Sequence, residues 1–245
     1  MKKTLTILLF LKLLTNPLLA TGKFEFTPLA RQAYNKTMAL KLNEAESLIS
    51  QLRKNEPDNL IIHLIENHKE ALVTFVNEQK VDYSHYLPNA KKRLEILKNG
   101  DSQSPYYLFA QAQVRLMWAM NRAKFGDLID AFTETSAAFE YLEKNQKKFP
   151  DFMPNKMALG MLHAIVGSLP DNYKWGLKLV SGMNGTVQQG QAEIEEVIRY
   201  AKTNDYIFEQ EALVMYGFLM LHLNNQNDNA WSIVNSGKLK PKENI

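Results

Sequence analysis

The chain has 245 residues, of which 45% are hydrophobic and 22% charged, and it carries a formal net charge of +3. This length is enough to bury a substantial core in one or two domains, and the composition excludes a disordered chain or a long coiled coil. The sequence contains no cysteine, which excludes disulfide bonds and a lipid anchor on cysteine.

The first twenty residues have the form of a secretory signal. Lys2 and Lys3 precede an apolar run from Leu5 to Leu14, and this run is too short to span a bilayer. We therefore expect residues 1–20 to be removed and the mature protein to be exported to the periplasm or the extracellular space, with peripheral membrane attachment left open. The alternative is that this segment forms an amphipathic first helix of the mature fold.

Loss of that segment changes the charge of the protein. Residues 1–20 hold three lysines and no acid, so the formal net charge falls from +3 to zero. Nucleic-acid binding calls for a clustered basic face with aromatic side chains that stack on bases. The mature sequence shows no such cluster, and we expect no nucleic-acid partner.

Apolar residues after position 27 recur at helical spacing, and the prolines lie almost entirely at segment ends. This pattern predicts an all-α fold with more than about 60% helix. Residues 21–237 are assigned to one helical domain and residues 238–245 to a loose tail. The predicted regular helices cover, in chain order, 28–42, 44–54, 59–80, 86–98, 104–125, 128–148, 187–202 and 207–223.

Between residues 149 and 186 the helical pattern breaks. Pro154 and Pro170 each fall where a helix is expected to begin, because proline at the first helical position loses no hydrogen bond. We predict two short irregular helices near 154–182. The first is apolar nearly all round, which is typical of a segment buried on several sides.

Two of the predicted helix pairs share a spacing of small residue and proline. Ala45 and Pro57 are twelve residues apart, and so are Ala138 and Pro150. In tetratricopeptide repeats a small residue lies where the two helices cross, and a proline ends the second helix. The sequence resembles such repeats in this spacing, although the Trp and Gly of their first helix are missing. The resemblance implies antiparallel helix pairs stacked into an α-solenoid with a concave groove.

A narrower resemblance covers about fifty residues around the break. The region is similar to the middle of the family that contains inclusion-body-clearance proteins of the mitochondrial outer membrane and their animal tetratricopeptide relatives. The export signal departs from that family's pattern, so the resemblance implies an exported, bacterial relative and does not carry over the mitochondrial role. The matching residues are Pro154, Asn155, Leu179, Gly182, Gly185, Gly190 and Ile194.

No catalytic, cofactor or metal motif stands out in the sequence. The closest metal pattern places His63 and His68 five residues apart, so on a helix the two imidazoles point about 140° apart and do not share an ion. His68, His163 and His222 lie among apolar residues and are interpreted as hydrogen-bonded core side chains. We expect a protein that is not an enzyme and holds neither a cofactor nor a metal.

One constellation suggests a binding surface. Gln111, Arg115, Trp118 and Arg122 follow one another at intervals of four, three and four residues and therefore share one helix face. On the concave side of a solenoid, the arginines would bind carboxylates of a peptide or protein partner and Trp118 an apolar side chain. The alternative is that Trp118 packs on the neighbouring helix pair while both arginines pair with acids.

These features favour an exported, non-enzymatic, tetratricopeptide-like scaffold that holds a peptide or protein partner in its concave groove. A second interpretation is a structural subunit that oligomerises or docks through its C-terminal end, suggested by the abrupt finish after Trp231. A third is an enzyme whose site carries no recognisable motif.

Overall fold

The computed structural model describes residues 22–171, 174, 178, 181–224, 228 and 230–232. The predicted signal segment 1–20, the tail 238–245 and most of the second short helix of the break lie outside the described residues. Helix accounts for 77% of the described residues, which confirms the all-α prediction. The α-helices are α1 Pro28–Met38, α2 Leu42–Asn55, α3 Ile61–Asn77, α4 Lys80–Leu97, α5 Tyr106–Lys124, α6 Leu128–Lys148, α7 Met153–Ser168, α8 Val187–Ala201 and α9 Glu209–Phe218, the last continuing into a π-helical turn, Leu219–Leu223.

Local sequence explains several of the helix ends. The Thr27 hydroxyl accepts a hydrogen bond from the backbone N–H of Ala30 at 3.2 Å, directly before Pro28, and so caps the start of α1. Gly126 has a φ of +92°, a left-handed conformation that glycine adopts without strain, at the turn between α5 and α6. Helix α2, in contrast, begins at Leu42 without a hydrogen bond from a capping side chain.

The predicted break is more regular than expected. Met153–Ser168 is a single helix of 16 residues with Pro154 in its first turn, so the prediction of a short irregular helix is wrong for this segment. Gly167 lies in α7 one residue before its last residue, Ser168, and a Cβ at this position would lie 2.4 Å from the backbone at the start of α8. The glycine is needed for the close approach of α8. The prediction that the segment is buried on several sides is confirmed by Met157, Leu159, Leu162 and Val166.

Neighbouring helices pack in a regular succession. Helix α1 packs on α2, α3 on α4, α5 on α6 and α7 on α8, while α3 also contacts both α1 and α5. Ala45 and Ala138, the two small residues of the predicted repeat pattern, are fully buried. At the α7–α8 crossing, a Cβ on Gly190 would lie 2.2 Å from the Gly160 carbonyl oxygen, so the two helices approach as closely as backbone allows.

Buried side-chain amides tie successive helices together. The Trp118 indole N–H donates to Asn67 Oδ1 at 2.8 Å, and Asn121 Nδ2 donates to the Ala71 carbonyl at 3.1 Å, both between α5 and α3. Asn155 Nδ2 on α7 donates to the Leu142 carbonyl of α6 at 2.9 Å. Because buried polar groups are costly without partners, these bonds fix how the helices register.

The segment between α8 and α9 returns to the first helix. Phe208 is 2% exposed, and its ring lies 5.5 Å from that of Phe26, 5.3 Å from Tyr34 and 5.9 Å from Phe109. These edge-on contacts are the favoured arrangement of buried aromatic rings. They hold the start of α9 against α1 and α5.

Candidate functional site

The structure buries part of the predicted binding stripe on α5. Gln111 is 3% exposed and Trp118 is 1% exposed, so the expectation that both face a partner is wrong for these two residues. Gln111 Nε2 donates to the Tyr107 carbonyl at 3.0 Å, and the Trp118 N–H is bonded to Asn67 on α3. Both side chains serve contacts within the protein because α5 packs on α3 and α4.

The two arginines of the stripe are paired with acids of α6. Arg115 Nη1 lies 2.5 Å from Glu134 Oε2, and the guanidinium stands 5.4 Å from the Tyr141 ring centre. Arg122 Nη1 lies 2.6 Å from Asp130 Oδ2. This arrangement is the alternative stated from the sequence, with the difference that both acids lie on the helix that follows α5 directly.

A depression of about 330 Å³ adjoins the stripe between α4, α5 and α6. Arg115, Trp118 and Arg122 lie on its wall together with Glu134. Each arginine of α5 uses Nη1 in its ion pair, while the buried Nε of each has no hydrogen-bond partner among the described residues. The pairing with α6 occupies part of each guanidinium, and partner binding by the stripe stays a prediction.

A larger cavity, of about 500 Å³, lies between α1 and α9. We call it the α1–α9 cleft. One side is formed by α1 and the other by the connection after α8 and the first turns of α9. Its lining residues are Arg31, Asn35, Met38, Ala39, Asp205, Tyr206, Ile207, Glu209, Gln210, Glu211 and Val214. A smaller depression of about 170 Å³ shares Arg31, Asp205, Tyr206 and Ile207 with it.

Glu211 is the most unusual group of the cleft. Its carboxylate accepts a hydrogen bond from the Tyr34 hydroxyl. Burial raises the pKa of Glu211 more than this hydrogen bond lowers it, since a low-dielectric site disfavours the charged form. Burial and the adjacent Glu211 together raise the pKa of Tyr34 well above its usual range, so the phenol keeps its proton and stays a donor.

Arg31 is the basic side chain among the described residues that line the cleft. Its Nη2 lies 2.5 Å from Asp205 Oδ1, with the Arg31 side chain 29% exposed and that of Asp205 90% exposed. The pair spans from α1 to the connection before α9. The guanidinium of Arg31 is therefore already paired with Asp205. No cation among the described residues pairs with Glu211.

Two of the three histidines interpreted as core side chains are buried and hydrogen-bonded. His68 Nδ1 donates to the Leu64 carbonyl at 2.8 Å, and His163 Nδ1 lies 2.7 Å from Glu193 Oε2, which confirms both as hydrogen-bonded core residues. His222 is exposed, so its assignment to the core is wrong. Among the described residues, no group of three or more histidines and acids is placed to hold a metal ion.

Comparison of the chain with protein-family models, with curated proteins and with solved structures finds no match. Within the described residues, no helix combines the length and apolarity that crossing a bilayer requires. The predicted helix 207–223 contains a strongly apolar run, 212–223, which is only partly buried. Leu213, Leu219 and Met220 are buried, whereas Val214 and Phe218 are 58% and 46% exposed.

Sequence reasoning missed the α1–α9 cleft. Tyr34 and Glu211 stand 177 positions apart, and the helical patterns used to predict elements report only local neighbours. The signal that was available is Glu211 itself, an acid placed directly before the apolar run 212–223. A carboxylate there is expected to be buried beside a partner or to line a cavity.

Proposed function

We propose that this protein is a non-enzymatic binding module, built of stacked tetratricopeptide-like helix pairs, that holds a segment of a peptide or protein partner in the α1–α9 cleft. The observation that carries the proposal is the cleft itself. At about 500 Å³ it has the size of a typical ligand pocket, and it combines apolar walls with a few charged groups.

The succession of helix contacts supports the repeat architecture. In a solenoid, the first helix of each pair packs on the first helix of the next pair, and the second helix of one pair packs on the first of the next. Contacts of α3 with both α1 and α5, and of α2 with α3, α4 with α5 and α6 with α7, follow that rule, whereas α7 makes no extensive contact with α5. Such arrays bind extended partners along the surface that their first helices share.

An exported location accompanies the proposal. It is supported by Lys2 and Lys3 ahead of the apolar run 5–14, the arrangement of a cleaved export signal. In that setting the partner would be another exported or surface protein. Intact-mass measurement of the protein from its native host tests this part, since a soluble product that retains residues 1–20 would contradict it.

Site-specific photo-crosslinking tests the binding function. A benzophenone amino acid replaces Val214, which lines the cleft and is 58% exposed, or Val81 on α4, which is 79% exposed and lies outside the residues that line the cleft. In the native host, Val214 is expected to give a defined adduct and Val81 none. Equal labelling from both positions, or none from Val214, would reject the cleft as the binding site.

A second candidate function is assembly through α9. Val214, Phe218 and Leu221 are four and three residues apart and are 58%, 46% and 44% exposed, which places an apolar stripe on one face of α9 and its π-helical turn. Trp231 is 66% exposed. Sedimentation of the purified protein distinguishes the two functions, because a structural subunit would form an oligomer that Phe218→Ser dissociates.

A further inference from the structure

We infer that the α1–α9 cleft recognises a basic side chain, an ammonium or guanidinium carried on an apolar stem, and holds its charge beside Glu211. This inference rests on the proposed function and names the part of the bound segment that the cleft takes. Lysine and arginine are the side chains with this chemistry.

The charges of the cleft select the sign of the ligand. Three carboxylates, those of Asp205, Glu209 and Glu211, line it against the one guanidinium of Arg31. Arg31 is engaged by Asp205 at 2.5 Å, which leaves Glu209 and Glu211 without a cation among the described residues. A second carboxylate or a phosphate entering the cleft would meet an excess of negative charge, whereas a cation would be attracted.

Glu211 gives the cation a specific place. Tyr34 donates to one oxygen of the Glu211 carboxylate, Oε1, while Arg31, the basic side chain that lines the cleft, pairs with Asp205 instead. Because a buried carboxylate is costly without a counter-charge, an arriving ammonium or guanidinium relieves that cost while it forms a charge-assisted hydrogen bond. Glu211 thus combines partial burial, an orientation fixed by Tyr34 and a charge that has no counter-ion among the described residues.

The remaining walls suit the stem of such a side chain. Met38, Ile207 and Val214 contribute apolar surface, and Tyr206 contributes an aromatic ring. Methylene groups of lysine or arginine pack on apolar side chains while the charged end reaches a polar group. The Tyr206 ring is, in addition, a surface on which a cation is stabilised.

NMR spectra of the methionine methyl groups in the full protein test the inference. The protein is labelled at its methionine methyl groups and titrated with acetyl-lysine-methylamide or with acetyl-norleucine-methylamide, which has the same stem without the charge. Met38 lines the cleft, while Met120 on α5, 54% exposed, reports non-specific contact. We expect the lysine probe to shift Met38 at concentrations at least tenfold lower than the norleucine probe, with no shift of Met120.

Variants of the cleft charges sharpen the test. Glu211→Gln keeps an acceptor for Tyr34 but removes the charge, and we expect it to weaken the lysine probe about tenfold and leave norleucine unchanged. Arg31→Met removes the positive charge of the cleft and should tighten lysine binding. Glu140→Gln on α6, an acid whose side chain is 61% exposed and which lies outside the cleft, is the control. A melting curve first shows whether Glu211→Gln is folded. If Glu211→Gln does not fold, the lysine affinity of Arg31→Met tests the inference instead.

The outcomes separate this inference from the proposed function. Equal shifts of Met38 by both probes, or a lysine response insensitive to Glu211→Gln and Arg31→Met, would overturn the recognition of a basic side chain. A Val214 crosslink obtained at the same time would leave the binding function intact. Absence of the Val214 crosslink together with no response of Met38 to either probe would reject both.

Discussion

The hydroxyl of Tyr34 on α1 donates a hydrogen bond to the carboxylate of Glu211 on α9, across 177 positions of the sequence. Tyr34 is 2% exposed and Glu211 is half-buried, so the bond joins the two helices where water is partly excluded and polar contacts are stronger than in bulk solvent. Together with the insertion of Phe208 beside Tyr34, it closes α9 onto α1. The cleft between these helices depends on that closure.

Removing the phenol hydroxyl tests this contact. Tyr34→Phe leaves the Glu211 carboxylate without its donor, and we expect the free energy of unfolding at neutral pH to fall by about 1–3 kcal/mol, the usual cost of orphaning a buried polar group. Urea denaturation measures the loss. The control is Tyr107→Phe, because the Tyr107 hydroxyl makes a long, exposed bond of 3.4 Å to the Lys98 carbonyl and should contribute little. Equal losses in the two variants would contradict the assignment.

The raised pKa of Glu211 predicts how stability depends on pH. Because the folded state holds this proton more tightly than the unfolded chain, the Glu211 contribution is most favourable at low pH. It declines as pH rises from the unfolded pKa through the folded one. Glu211→Gln removes that decline, so its melting temperature should approach the parent's in acid and exceed it at neutral pH. A temperature difference that stays constant with pH would show that Glu211 titrates normally.

The lowered pKa of Glu66 on α3 predicts the opposite dependence of stability on pH. Burial alone would raise its pKa, but hydrogen bonds from His63 and Arg53 and the charge of Arg93 lower the value to about 2. The corresponding stability is complete above the unfolded pKa and is lost as pH falls towards about 2. Glu66→Gln should therefore cost about 3 kcal/mol at neutral pH and little in strong acid. A variant whose unfolding curve matches the parent at both pH values would refute this network.

The sequence was sufficient to predict the helices, but it did not predict that α9 packs back onto α1. The all-α fold follows from apolar spacing and from prolines at segment ends, signals that lie within a dozen residues of each other. The same signals placed the start of α7 correctly at Pro154, which lies in its first turn. They underestimated its length and regularity, because Gly160 and Gly167 are accommodated within a helix of 16 residues. Stacking as a solenoid is consistent with the observed contacts and stays part of the proposed function.

The site was harder to foresee for a physical reason. Gln111, Arg115, Trp118 and Arg122 do share one face of α5, as their spacing requires, but spacing does not tell which neighbour that face meets. In the structure it meets α3, α4 and α6, and Trp118 is buried with its N–H on Asn67. Large aromatic and arginine side chains suit helix interfaces as well as binding surfaces.

The two buried alanines of the repeat pattern predict a packing effect. Ala45 and Ala138 are fully buried, so replacing either by Leu forces extra volume between helices and should cost about 1–3 kcal/mol. Ala123→Leu, at an exposed position of α5, is the matched control and should change stability little. Thermal melts of the three variants decide the matter, and a normal melt for Ala45→Leu or Ala138→Leu would show that the alanine does not mark a close crossing.

The two arginines of α5 should contribute differently to stability, because their ion pairs differ in exposure to water. The side chains of Arg115 and Glu134 are only 19% and 25% exposed, so Arg115→Ala leaves a partly buried carboxylate unpaired and should cost about 1–3 kcal/mol. The Arg122 partner, Asp130, is 63% exposed, and loss of such a pair is screened by water and should cost less than about 1 kcal/mol.

Two measurements on Arg115→Ala and Arg122→Ala decide whether the stripe has a structural or a binding role. These are the free energy of unfolding and the yield of the Val214 crosslink. A structural role predicts the larger loss for Arg115→Ala and an unchanged crosslink in both variants, since neither arginine lines the α1–α9 cleft. A binding role predicts unchanged stability and a weaker crosslink. Because the ion pairs stabilise α5 against α6 and lie away from the cleft, we expect the first result; the second would return the binding surface to α5.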